Sequence, residues 1–195
     1  MVAHHFNVSE GPRADEPISS AVEFAHAAID AGADMYFGHG WHRILGIEIY
    51  KGKPIIYGMG NLFAQSQFLQ KVPYDSFEVW NHDMDLLPTL QANDEPLHPG
   101  LDRPSPLWWS GATYEYEFDA DRNLKSIKIT PLELGREYSE TEVVITRHTG
   151  AKCEGRPFVA HGENARLTLE RIRDLSKLYG TEISIEGEVG YWRAK

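Results

Sequence analysis

Chemistry in this chain points first to histidine. His39 and His42 sit in the run Gly38-His39-Gly40-Trp41-His42, and His5 lies near the amino terminus. Neutral imidazole suits Zn, Fe, Mn and similar ions, and two such ligands close together in a loop can face one ion or bridge two. Spacing alone leaves a second interpretation open, in which these are loop histidines hydrogen-bonded to backbone or water. Position adds weight to the metal. Both histidines are expected immediately beyond a short strand, Asp34 to Phe37, and ligands in open α/β sheets bind outside the carboxyl ends of strands. His5 ends the preceding strand, so a parallel sheet would bring its side chain to the same edge.

The elements that must position these residues follow from periodicity. Val2 to Phe6 reads as the end of a strand, followed by a loop rich in Gly11, Pro12, Asp15 and Pro17. Ser19 or Ser20 is expected to cap a helix running to about Ala31, with Ala21, Phe24, Ala25, Ala28 and Ile29 on one face and Gly32 at its carboxyl end. Strand, helix and strand over so short a span make a βαβ unit and favour a parallel sheet. Leu45 to Tyr50 and Pro54 to Tyr57 flank Lys51-Gly52-Lys53 as a hairpin, which ends on Gly58-Met59-Gly60-Asn61. Residues 83 to 106 are dense in Pro, Asp and Asn without a period and read as an irregular insert. Ala112 to Phe118 and Leu124 to Leu134 alternate around a turn and form an antiparallel pair. Glu163 to Tyr179 is the strongest helix, with Leu169, Ile172, Leu175 and Tyr179 on one stripe and Gly180 as its stop; a small strand, Glu182 to Ile185, precedes a Gly-rich end.

Composition sets the class. With 195 residues, 42% hydrophobic and 25% charged, the chain is long enough to bury a core. A net charge of -10 without a cluster of Lys and Arg argues against nucleic acid and anionic membranes as partners. It does not exclude a polyanionic substrate, since a bound metal can dominate the local charge. The single Cys153 excludes an internal disulfide and a Cys-based zinc site. Met1 to Phe6 lacks a signal-peptide pattern, and no run approaches the ~18 apolar residues of a membrane span, so a cytoplasmic chain without a membrane span is expected.

The stretch Gly32-Ala33-Asp34-Met35-Tyr36-Phe37-Gly38-His39-Gly40-Trp41-His42, with Gly46 to Phe63 after it, resembles the CapA family of capsule and poly-γ-glutamate synthesis proteins. That family is similar in fold to the calcineurin-like metallophosphoesterases. His39, His42, Glu48, Tyr50, Tyr57, Gly60 and Asn61 fall on matching positions, and Val2 to Asn7 resembles a strand whose last residues place His5 on a ligand histidine. Trp41 stands where the family has Pro, and Asn7 where it has Gly. Looser similarity extends over Trp108 to Leu134, Gly155-Arg156-Pro157 and Leu175 to Gly190.

The resemblance implies an α/β fold: the carboxyl-terminal half of a metallophosphoesterase-like α/β sandwich, with an appended antiparallel pair and a helix. Residues 1–64 would form the histidine-bearing core, 65–106 the insert, and 107–195 the strand pair, helix and small strand completing the same domain. It implies metal-assisted hydrolysis or transfer in polymer synthesis, with His5, His39 and His42 as ligands to divalent ions (Mn, Fe or Zn). Asn61 would be hydrogen-bonded near the centre, and the substrate would be polyanionic or peptide-like. The family's Gly-Asp and Asn-Asn-His motifs do not occur in this sequence. The site is therefore expected to be incomplete in this chain and weak in activity, its other ligands coming from a missing amino-terminal half or another subunit of a polymer synthesis assembly. The alternative is a non-catalytic scaffold or partner module of a synthesis or export assembly.

Other residues carry less. Glu115 and Glu117 read as a solvated strand face, His148 and His161 as structural, and His82 with Asp83 and Asp85 as a charged surface loop. Trp108-Trp109 is expected to pack at a strand start, and Arg156 to be available as an anion clamp.

Overall fold

A computed structural model describes residues 1–6, 15–63, 109–134 and 156–194. The irregular insert, Asn7, His82, Trp108, His148 and Cys153 lie outside the described residues.

The first part builds a four-stranded sheet. Strands β1 (Val2–His5), β2 (Tyr36–His39), β3 (Ile47–Tyr50) and β4 (Lys53–Ile56) lie in the order β1-β2-β4-β3. β1, β2 and β4 are parallel and β3 returns antiparallel to β4. Helix α1 (Ser19–Asp30) makes the crossover from β1 to β2, as the βαβ pattern requires. The hairpin between β3 and β4 is closed by Lys51 and Gly52, with φ of 50° and 75°. Two successive positive φ values are the signature of the turn that matches strand twist.

Strand alternation decides what each face of this sheet meets. Tyr36 and Glu48 both lie opposite Ile55, so these side chains share one face. There Tyr36, Ile55 and Tyr57 pack with Ala21, Ala25 and Ile29 of α1. Phe37 and Ile47 both lie opposite Ile56 and belong to the other face. That face meets a second sheet, built on β5 (Ser110–Phe118) and β6 (Leu124–Leu134), an antiparallel pair. β7 (Pro157–Val159) and β9 (Val189–Arg193) pair with successive stretches of the long β6, and β8 (Ser184–Glu186) closes on β9. Helix α2 (Gly162–Ser176) continues as a 3₁₀ turn to Tyr179 and stops at Gly180, where φ is 70°. Ile47 and Ile56 of the first sheet, Ile127 and Ile129 of β6, and Leu169 and Ile172 of α2 form one buried cluster.

Several expectations shift against this structure. Ser19 and Ser20 do not cap α1; Ile18 holds the cap position in extended conformation, with no side-chain cap bond. Ile18 packs against the α1 core, and its burial replaces a serine cap worth about 1 kcal/mol. Phe24 stands half out of the helix interface, against His4 and Tyr36. The second strand runs from Tyr36 to His39 rather than from Asp34 to Phe37, because its ladder with β1 pairs Val2 with Tyr36 and His5 with His39. His39 therefore ends a strand instead of beginning a loop. The carboxyl end holds two strands, and β9 escapes its alternating pattern at Gly190. A Cβ there would come within 3.1 Å of Leu169 and 3.3 Å of Ile129, so close packing of α2 selects glycine.

Candidate metal-ligand site

The site forms at the carboxyl ends of β1, β2 and β4. His5 and His39 are directly paired across the parallel ladder, and their rings meet edge to face with centroids 4.9 Å apart. Their neighbour His4 points the other way, as strand alternation demands, and shares a 2.8 Å hydrogen bond with the Tyr36 hydroxyl on the α1 side. Burial, with His5 and His4 nearby, holds the His39 imidazole below its ordinary pKa. Its neutral form is thus favoured, and neutral imidazole is the form that binds a metal.

Gly38, between Phe37 and His39, cannot be larger. A Cβ there would run into the Tyr57 carbonyl oxygen and the Phe6 ring. β2 consequently lies close under the end of β4 just where His39 emerges.

His42 is placed by a loop of unusual backbone, with φ of 92° at Gly40 and 58° at His42. A non-glycine residue in this region is uncommon and costs local strain. Its surroundings hold it there. His42 Nδ1 donates to Asn61 Oδ1 at 2.6 Å. A carboxamide oxygen only accepts, so this bond puts the ring proton on Nδ1 and makes Nε2 the basic nitrogen. Hydrogen bonding at one ring nitrogen is the usual way to orient a ligating histidine. Asn61, which the resemblance set near the centre, is thus a positioning partner of His42, and it is 8% exposed.

The Gly-Asn turn that carries Asn61 is stapled on two sides. Gly60 N donates to Arg43 O and Asn61 N to Ser110 O, both at 3.3 Å, and Ala112 N donates to Met59 O at 3.2 Å. Gly60 has φ of 73°, and Gly60 bridges Gly111. Side chains at either glycine would strike the opposite backbone. The start of β5 thereby fixes the turn, and the turn fixes His42.

His5 and His39 are brought together, whereas His42 is placed by its own loop and pairs with Asn61. Among the described residues no three His, Cys, Asp or Glu side chains converge as a set that could hold a metal ion. Donor chemistry fits a divalent ion: paired imidazoles, one held neutral and another with its tautomer fixed.

Glu48, Tyr50 and Tyr57 match the same family pattern but serve the opposite face. Glu48 accepts hydrogen bonds from His26 Nε2 of α1 at 2.9 and 3.0 Å, and from the Tyr57 hydroxyl at 2.5 Å. Burial and the adjacent Glu48 carboxylate push the Tyr57 phenol far above its ordinary pKa, so it remains a donor. The His26 ring stacks on Tyr50 with centroids 3.9 Å apart, and Tyr50 reaches Asp30, which pairs with Lys51. This network clamps α1 onto the β3–β4 hairpin. His26 carried no sequence signal, because its partner comes from another element 22 residues away.

The remaining candidates that are described make contacts of their own. Glu115 pairs with Lys128 and Glu117 accepts from Ser126 on the exposed face of the strand pair. His161 and the Gly162 amide meet the Glu188 carboxylate at the start of α2. Arg156 lies over the Phe158 ring, 5.5 Å from its centroid. No helix among the described residues is long and apolar enough to cross a membrane.

Comparison with known proteins finds relatives over most of the chain. Two uncharacterized proteins of Sinorhizobium fredii are each 33% identical over 191 residues, covering 94% of this chain. The chain spans 39% of the length of those relatives. A "Probable polyglutamine synthesis accessory protein" of Mycobacterium tuberculosis is 58% identical over 41 residues, which is 21% of this chain and 11% of that protein. Residues 1–66, which contain His5, His39, His42 and Asn61, match the family model described as "Bacterial capsule synthesis protein PGA_cap". Over that segment the chain is similar to this family of capsule synthesis proteins.

Proposed function

We propose that this chain is part of a capsule or poly-γ-glutamate synthesis protein, and that its histidine site takes part in metal-dependent hydrolysis or group transfer. The observation that carries this is the arrangement at the strand ends: His5 and His39 face to edge, and His42 with its Nδ1 proton committed to Asn61. His5, His39 and His42 would hold a divalent ion, which when bound supplies Lewis acidity to a phosphoryl or acyl oxygen. The chain's own contribution is to keep His39 neutral, to fix the His42 tautomer and to hold both on short, glycine-pinned connections. A polyanionic or peptide-like substrate suits an acidic chain only if the ion provides the local positive charge. The name of the mycobacterial relative supports a place in polymer synthesis.

A non-catalytic accessory role is the second possibility. It is supported by the word "accessory" in the name of the mycobacterial relative.

The discriminating experiment replaces His39 and His42 with Ala in the full-length protein, then measures bound Mn, Fe and Zn and the turnover of phosphodiester and γ-glutamyl amide probes. Loss of metal and turnover together supports the enzyme. Metal and polymer synthesis that survive both substitutions refute it and leave the accessory role.

A further inference from the structure

We infer that Arg171 of α2 is a positioning residue for the histidine loop, tying it to the connection that follows His5. The Arg171 side chain is 16% exposed. Its Nε donates to the Ile44 carbonyl at 3.1 Å, and its Nη2 reaches Asp15 Oδ1 at 2.6 Å. These partners lie 127 and 156 residues away in sequence, one in the connection that carries His42 and the other in the connection between β1 and α1. Ile44 lies two residues after His42 and is 1% exposed, bridged to Met59. Asp15 lies between β1, which ends in His5, and α1.

The histidine loop is therefore held by two elements. The Gly-Asn turn binds it through Leu45 N to Gly58 O at 3.0 Å and through Gly60 N to Arg43 O. α2 binds the same stretch through Arg171, on the Ile44 carbonyl between Arg43 and Leu45. His42 needs both, because its left-handed backbone is strained and persists only where the surroundings over-determine it. A planar guanidinium can grip two acceptors at once in a fixed geometry, which a lysine ammonium cannot. Ser176 provides a comparison on the same helix. Its hydroxyl accepts from Ile47 N at 3.0 Å and donates to Ile172 O, joining α2 to β3 without touching the histidine loop.

This inference rests on the histidine loop being a ligand loop, and its test separates the two ideas. The full chain is prepared as wild type, His39→Ala, Arg171→Met, Arg171→Lys, Asp15→Asn and Ser176→Ala. Metal-free protein is examined by NMR for the ring nitrogens of His42, whose Nδ1 should show the hydrogen-bonded, protonated signature. Arg171→Met should move those resonances toward a tautomer average, and Asp15→Asn, an exposed change that leaves the fold intact, should move them part way. Ser176→Ala should lower the melting temperature and leave the His42 signature in place.

Titration with Co²⁺, read by visible absorbance, then tests the loop as a ligand loop. His39→Ala should abolish the band, and Arg171→Met should weaken binding about 10-fold, as for partners that orient a ligand. Arg171→Lys should restore less than half of that loss. Unchanged His42 resonances in both Arg171→Met and Asp15→Asn overturn the inference, whatever the metal does. A wild-type chain without a Co²⁺ band, or one whose band survives His39→Ala, overturns the metal assignment while the NMR still decides the role of Arg171.

Discussion

Removing the Glu48 carboxylate should cost stability without touching the histidine site. Glu48 is 14% exposed and serves two donors, the fully buried Tyr57 hydroxyl and His26, which is 31% exposed. A hydrogen bond to a charged acceptor contributes about 1.5–3 kcal/mol, and a buried hydroxyl left unpaired costs about 1–3 kcal/mol. The partly exposed His26 arm adds no more than about 1 kcal/mol. Glu48→Ala should therefore lose about 3 kcal/mol, and Tyr57→Phe, which leaves His26 paired, about 2 kcal/mol. The double variant strands no hydroxyl and should lose about 3 kcal/mol, so the two sites couple by about 2 kcal/mol. In a chain of this size Glu48→Ala lowers the melting temperature by about 6–12 °C. Urea unfolding followed by far-ultraviolet circular dichroism, with unchanged slopes, reads all four corners of the cycle. Losses that simply add, within about 0.5 kcal/mol, would refute the Tyr57–Glu48 bond as the core of this clamp. A second arm tests the geometry. Glu48 and Tyr57 share the α1 face whereas His39 lies with Phe37 on the other, so Co²⁺ binding by folded Glu48→Ala protein should match the wild type within about two-fold.

Other outcomes follow from the same structure. Gly111→Ala should loosen the turn that carries Asn61, because its Cβ would strike the Asn61 carbonyl; the His42 Nδ1 resonance in NMR should lose its hydrogen-bonded signature. Leu169→Ala should cost about 2–5 kcal/mol in denaturant unfolding, since Leu169 is fully buried where both sheets and α2 meet. Alkaline pH should destabilise the fold. Burial pushes the Tyr36 phenol from 10.0 up to about 12, so between those values the unfolded chain has released a proton that the folded chain still holds. Stability is fully present below pH 10 and falls as pH rises toward about 12, by up to about 3 kcal/mol from this group. Tyr36→Phe should remove that share of the slope in a pH series of unfolding midpoints, and a slope identical to wild type would contradict it.

Short-range patterns in the sequence specify most of the local elements and set the histidines near neighbouring strand ends. Ala21, Ala25 and Ile29 recur at helical spacing, the 110s and 120s alternate around a turn, and Lys51-Gly52 admits the two positive φ values of a tight hairpin. These are short-range patterns, set by backbone sterics and by which side must be apolar. The run to Phe63 likewise carried the resemblance in its order of residues.

Which partners meet depends on how the sheets and helices pack. The ladder with β1 drew the second strand on to His39, and packing of Ile18 displaced the expected serine cap. Glu48 and Asn61 match one continuous motif, yet one clamps α1 and the other orients His42. Alternation in β3 sends Glu48 to the α1 face, whereas Asn61 lies beyond β4 and is placed by the turn at Gly60 and its bond to Ser110. Arg171 had no signal at all near the histidines, because a guanidinium that spans 127 residues is placed by helix packing and not by spacing. Local periodicity is written along the chain; the pairing of distant polar groups exists only once the sheets and α2 have closed on one another.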